Sequence, residues 1–196
     1  MPETTVSTST NSTSTNSSTT TGAATGAATT EVPTADLAAI LARLDELESA
    51  RAIEELMAAY MEACDLPTGK GKAVAALFTE NGRWESVGPH GNPAWTAVGR
   101  EQLVPKFDRN VERMPFAAHF LAKGKVQVNG DRARGQWMYF QACTWRGKVP
   151  LWIAGCYDND FERVDGTWLI SHLRVRNFFT TPFDKGWVEV EHMDTP

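Results

Sequence analysis

Asp65 and His119, distant in sequence, are of the residue types that move a proton at carbon. A carboxylate hydrogen-bonded to one imidazole nitrogen fixes the tautomer and leaves the other nitrogen as the proton acceptor. Asp65 closes the run Ile53-Glu54-Glu55-Leu56-Met57-Ala58-Ala59-Tyr60-Met61-Glu62-Ala63-Cys64-Asp65, and His119 stands in Pro115-Phe116-Ala117-Ala118-His119-Phe120. Each has an ordinary explanation when taken alone. An Asp after a helix is a common cap or turn residue, and a half-buried histidine at a strand start is often only packed or hydrogen-bonded. Tyr60 lies one and a half helical turns before Asp65, about 140° round an ideal helix. The two share a cavity only if the helix end unwinds before Asp65.

These residues need elements to hold them. Pro33-Thr34 offers a helix start with Thr34 as cap, and apolar residues then recur at helical period at Leu37, Ile40, Leu41, Leu44, Leu47, Ile53, Leu56 and Met57. Leu66-Pro67-Thr68-Gly69 stops this helix and puts Asp65 at its C-terminal end. Further helices are expected at about 72–78 and 100–113. From Phe116 onward the pattern is that of strands, at about 117–128, 131–145, 150–164 and 167–179. Asn129-Gly130, Arg146-Gly147 and Asp165-Gly166 mark the turns between them.

Alternation places Trp137, Tyr139, Gln141, Cys143 and Trp145 on one face of the second long strand, and Met138, Phe140 and Ala142 on the other. In the last strand it groups Trp168, Ile170, His172, Arg174 and Arg176 against Leu169, Ser171, Leu173, Val175 and Asn177. Two largely apolar faces call for two covers: helices on one side, a second subunit on the other. The fold class expected is α+β, a cone-shaped, curved mixed β-sheet wrapped around N-terminal helices and enclosing an apolar pocket.

Composition bounds the rest. Residues 1–32 are mostly Thr, Ser, Ala, Gly and Asn, too poor in apolar surface to offset the entropy of ordering, so a disordered tail is expected there. The folded domain should then span 33–187, with a C-terminal tail at 188–196. Residues 1–32 have no basic start or apolar run of the kind a secretory signal needs. A formal charge of −5 with no basic run argues against nucleic acid as a partner, and no apolar stretch is long enough for a membrane span. Three cysteines, Cys64, Cys143 and Cys156, without zinc-like spacing fit a reduced, cytoplasmic protein. Four scattered histidines without HxxxH or HxH spacing give no metal site. There is no GxSxG, P-loop or dinucleotide fingerprint, so any chemistry should need no cofactor.

The order of features resembles the SnoaL-like branch of the nuclear-transport-factor-2-like superfamily. It runs from the helix ending in Asp65, through Leu77-Phe78-Thr79-Glu80-Asn81-Gly82 and His119, to Tyr157-Asp158-Asn159-Asp160-Phe161-Glu162-Arg163-Val164-Asp165-Gly166-Thr167-Trp168. The resemblance extends over about 37–182. It implies that Asp65 and His119 correspond to the Asp–His pair of dehydratases and hexachlorocyclohexane dehydrochlorinases in that branch. Tyr60 falls where bile-acid dehydratases carry a Tyr and the dehydrochlorinases a Lys, which leans toward a hydroxyl-bearing substrate. The dehydrochlorinases' pocket arginine falls nearest Leu173, a departure that leaves an anionic leaving-group role without its residue.

The expected function is a cofactor-independent lyase of dehydratase type, acting on a hydrophobic cyclic molecule such as a steroid, polyketide or aromatic compound. His119 is the base, Asp65 its support, and Tyr60 the group at the leaving oxygen or a carbonyl. Seven tryptophans suit an apolar cavity. The candidate substrate-binding residues are Trp84, Trp95, Trp137, Tyr139, Trp152, Leu173 and Asn177, with Trp145 also a possible wall residue. A proton-transfer isomerase or cyclase in the same pocket, and a non-catalytic binding or dimerising protein, remain open alternatives. A homodimer or homotrimer is expected.

Overall fold

The computed structural model describes residues 34–193. The expected tail, 1–32, lies outside the described residues. Helix α1 is Thr34–Asp65, and its apolar stripe behaves differently in its two halves. Leu37, Ile40, Leu41, Leu44 and Leu47 stay exposed, whereas Ile53, Leu56, Met57, Tyr60, Met61 and Cys64 are buried at helical spacing. Only the second half of α1 therefore packs into this chain's core.

Helix α2 is Lys70–Ala76, beginning earlier than the spacing suggested because Gly69 turns the chain at φ 67°. Phe78 belongs instead to strand β1, Phe78–Ser86, which with the short β2, Ala97–Val98, was not expected from the sequence. Glu80-Asn81-Gly82 looks like a turn, yet β1 absorbs it as an irregularity: its pairing shifts register between Phe78 and Arg83. Helix α3 is Arg100–Arg113, as its sequence pattern predicts.

Four long strands follow: β3 Phe116–Asn129, β4 Arg132–Trp145, β5 Val149–Val164 and β6 Thr167–Pro182. They join β1 and β2 in one open, mixed sheet of order β2-β1-β6-β5-β4-β3, in which only β1 and β6 run parallel. This is the expected α+β arrangement. The hairpin turns lie where the dipeptides put them. Val164 pairs with Thr167 across Asp165-Gly166, both at positive φ, as a type I′ turn requires.

Strand β4 alternates as read: Trp137, Tyr139, Gln141, Cys143 and Trp145 are buried, while Met138 is exposed. Strand β6 does not keep strict alternation. His172 pairs with Asp160 and Ile170 with the adjacent Phe161, so Ser171 is an extra residue that switches the faces. Trp168 and Ile170 consequently point inward together with Leu173 and Val175. His172 and Arg174 face an ionic network with Glu85 and Asp160 instead, His172 Nε2 lying 2.8 Å from Glu85 Oε1 and Arg174 donating to Asp160 Oδ2 at 2.7 Å.

A short helix α4, Gly186–Glu189, ends the described elements. Residues expected in the C-terminal tail return to the sheet: Thr180 donates its N–H to Glu191 O, Met193 donates to Thr180 O, and Met193 packs on the core.

Candidate active site

The last turns of α1, the start of α2, α3 and the inner face of the sheet surround one cavity. Helix α1 is unbroken through Asp65, so the condition for Tyr60 and Asp65 to share a cavity is not met and, of the two, only Tyr60 lines it. Tyr60 and Cys64, four residues apart on one helix face, line the cavity. Asp65, on the neighbouring face, stands behind His119 rather than in the cavity wall. His119 reaches the cavity from β3, opposite Gln141 of β4.

Asp65 Oδ1 lies 2.5 Å from His119 Nδ1, and the His119 backbone N–H donates to Asp65 Oδ2 at 3.0 Å. Burial pushes the Asp65 carboxyl up, but these two hydrogen bonds, the charge of His119 and that of Lys70 outweigh it and hold it below its ordinary 3.8. An ionised carboxylate only accepts. Nδ1 therefore carries a proton, and in the neutral form of the ring this tautomer leaves Nε2 as the acceptor. The His119 side chain is 9% exposed.

Tyr60 is almost wholly buried, with its ring edge-on to Phe78, Phe107 and Tyr157. Its hydroxyl accepts a hydrogen bond from Trp84 Nε1 at 2.8 Å and is hydrogen-bonded to the Cys64 thiol. Burial raises the Tyr60 phenol well above its ordinary 10.0 and pushes the Cys64 thiol up to about 12. Both groups are neutral near pH 7, and Tyr60 is a proton or hydrogen-bond donor rather than a base.

Across the cavity the Tyr139 hydroxyl donates to Asn177 Oδ1, and Asn177 Nδ2 donates to Thr180 Oγ1 at 3.3 Å. Burial raises the Tyr139 phenol as well.

Of the expected lining residues, Trp84, Trp95, Tyr139 and Asn177 face the cavity, as does Trp145. Three do not. Trp137 is core, edge-on to Phe161, and fills space left by Gly124 and Gly135. Trp152 lies on the outer face against Phe140 and Phe183, because the odd-numbered residues of β5 around it point inward. Leu173 is fully buried in the core but outside the cavity wall.

Two buried polar residues also line the cavity: Gln141, on the β4 face that alternation assigns to Tyr139, and Thr180 of β6, which lies past the expected end of that strand. Lys70, between Gly69 and Gly71, is a further lining residue that nothing in the sequence pattern singles out.

The cavity is small, about 100 Å³, on the scale that takes up a single benzene ring in an apolar core. A fused-ring ligand requires its aromatic walls to move. Among the described residues, no group of three or more His, Cys, Asp and Glu is placed to hold a metal ion, and no helix is long and apolar enough to cross a membrane.

The SnoaL-like domain profile matches residues 45–174. No curated protein matches. Several solved structures share the fold. A candidate scytalone dehydratase from Novosphingobium aromaticivorans DSM 12444 is 21% identical, with a TM-score of 0.60 over 70% of this chain and 89% of that one. Hexachlorocyclohexane dehydrochlorinase LinA-type3 from Novosphingobium barchaimii LL02 is 24% identical, with a TM-score of 0.63 over 79% of this chain and 99% of that one. A type 2 LinA dehydrochlorinase is likewise 24% identical, at TM-score 0.63 over 79% and 98% of the two chains.

Proposed function

We propose that this chain, which belongs to the SnoaL-like domain family, is a cofactor-independent lyase that removes water from a hydrophobic, hydroxylated cyclic molecule. The observation that carries this reading is the double hold of Asp65 on His119, which leaves Nε2 as a base at the wall of an aromatic-lined cavity. His119 takes the proton from carbon. Asp65 stabilises the imidazolium that results and keeps the ring in place. Tyr60, neutral and already oriented by Trp84, donates a hydrogen bond to the departing oxygen.

The fold neighbours named as dehydratase and dehydrochlorinase are consistent with elimination. A tyrosine in place of a cation on α1 supports a hydroxyl over a halide as the leaving group. The cavity size favours one-ring compounds over steroids.

Incubation with a panel of hydroxylated one-ring and fused-ring compounds, followed by mass spectrometry, tests the reading. Loss of one water from a panel member supports it. A product of unchanged mass with a shifted double bond marks an isomerase, and binding without turnover marks a carrier.

A further inference from the structure

Lys70 opens α2, lines the same cavity as His119 and Tyr60, and is only 4% exposed. It makes no hydrogen bond or ion pair with any described residue; the anion whose charge it feels is the Asp65 carboxylate. A buried ammonium without a hydrogen-bonding partner is costly, and the start of a helix is the unfavourable end for a cation.

The local backbone nonetheless fixes it. Gly69 holds a positive φ of 67°, which other residues rarely adopt. At Gly71 a Cβ would come 2.2 Å from Val104 O, and its N–H donates to Asp108 Oδ1 at 2.9 Å. The first turn of α2 is thus pressed against α3, with Lys70 held between its two glycines.

We propose that Lys70 binds the substrate's carbonyl oxygen and holds the enolate formed there, which makes the substrate a β-hydroxy carbonyl compound. This rests on His119 as the base. His119 Nε2 takes the proton from the carbon next to the carbonyl, and the C–H electron pair moves through that bond to leave an enolate oxygen paired with the Lys70 ammonium. The carbonyl then reforms, the pair becomes the new carbon–carbon double bond, and the bond to the β-oxygen breaks. The leaving hydroxyl takes the proton back from His119 and departs as water, so the base is regenerated and no other reactant is used. The leaving oxygen needs a proton, which the imidazolium returns with Tyr60 assisting. The carbonyl oxygen needs a positive charge, and Lys70 carries one that no described residue hydrogen-bonds, with the Asp65 carboxylate acting on it only through its charge.

4-Nitrophenol, which resembles an enolate and changes absorbance on ionisation, tests this without turnover. Bound to the full chain, it should ionise about tenfold more readily than free. Lys70→Met should remove that gain and weaken phenolate binding at least about tenfold, Lys70→Arg should keep part of it, and His119→Ala should keep most of it. The thermal midpoint of Lys70→Met should equal or exceed that of the natural chain. Unchanged phenolate binding in Lys70→Met overturns the proposal, as does failure of the natural chain to bind the probe at millimolar concentration. A large fall in the midpoint of Lys70→Met overturns it too, by marking Lys70 as structural. Loss of the effect in His119→Ala alone overturns the role of Lys70 while leaving His119 as base intact. Failure of His119 as base would instead appear as water loss that survives His119→Ala, with the Lys70 result unaffected.

Discussion

One carboxylate, that of Asp65, holds His119 at two points: the ring through Nδ1 at 2.5 Å and the backbone N–H at 3.0 Å. Two anchors on one residue fix both where the histidine sits on β3 and which way its ring turns. Helix α1 and strand β3 are thereby joined at the site, so chemistry and packing depend on the same contact.

Asp65→Asn should cut turnover by about a thousandfold while weakening binding little, because an amide cannot stabilise the imidazolium. Its effect on stability should depend on pH. The folded Asp65 carboxyl is held below its ordinary 3.8, so its contribution is present above that value and is lost as pH falls through the lower folded value. Urea denaturation of both proteins at about pH 6 and about pH 3 checks this. A gap that widens in acid would contradict it.

Lys70 should show the opposite linkage. Burial lowers the Lys70 amine from its ordinary 10.5 against the pull of the Asp65 carboxylate, so below the folded value the charged amine burdens the fold. That burden is relieved as pH rises from the folded value toward 10.5, where the unfolded chain still binds the proton. Lys70→Met should therefore melt higher than the natural chain by about a few degrees near neutral pH. The difference should shrink in alkali, and calorimetry across that range is the check.

Tyr60→Phe should have two separable effects. Trp84 Nε1 loses its acceptor, leaving a buried donor unpaired at a cost of about 1–2 kcal/mol in urea denaturation. Turnover should fall about tenfold to a hundredfold, most for substrates with the poorest leaving group. A stability loss with unchanged turnover would reduce Tyr60 to packing.

The outer surface predicts self-association. Phe116, Phe120, Phe183 and Trp187 are each more than half exposed, and Phe120 pairs across the sheet with Phe140, whose ring meets Trp152. Leu37, Ile40, Leu41, Leu44 and Leu47 on α1 are a second uncovered stripe. Light scattering at micromolar concentration should give a dimer or trimer, and Phe120→Lys should lower the mass. A monomer in the natural chain removes the idea.

Much of this was legible from local chemistry. Asp165-Gly166 and Asn129-Gly130 fixed hairpins, and alternation along β4 separated Tyr139 and Gln141 from Met138. Strand β1 was hidden because its partner β6 is distant in sequence and its own register breaks between Phe78 and Arg83. The faces of β6 were misread because Ser171 is a bulge, and a bulge leaves no period to count. Trp152 and Trp137 were misplaced for a related reason: an apolar ring suits a cavity wall, a core and an outer sheet face alike. Lys70 was overlooked because a lysine between glycines looks like a surface loop until α3 is packed over it.

The proposed chemistry turns on His119 as the base. Water loss from a panel of one-ring β-hydroxy ketones can be compared between the natural chain and His119→Ala, with binding followed separately by tryptophan fluorescence. The natural chain should dehydrate at least one member, and His119→Ala should still bind it but turn it over at least about a hundredfold more slowly. Equal turnover by His119→Ala would show that the base is not His119.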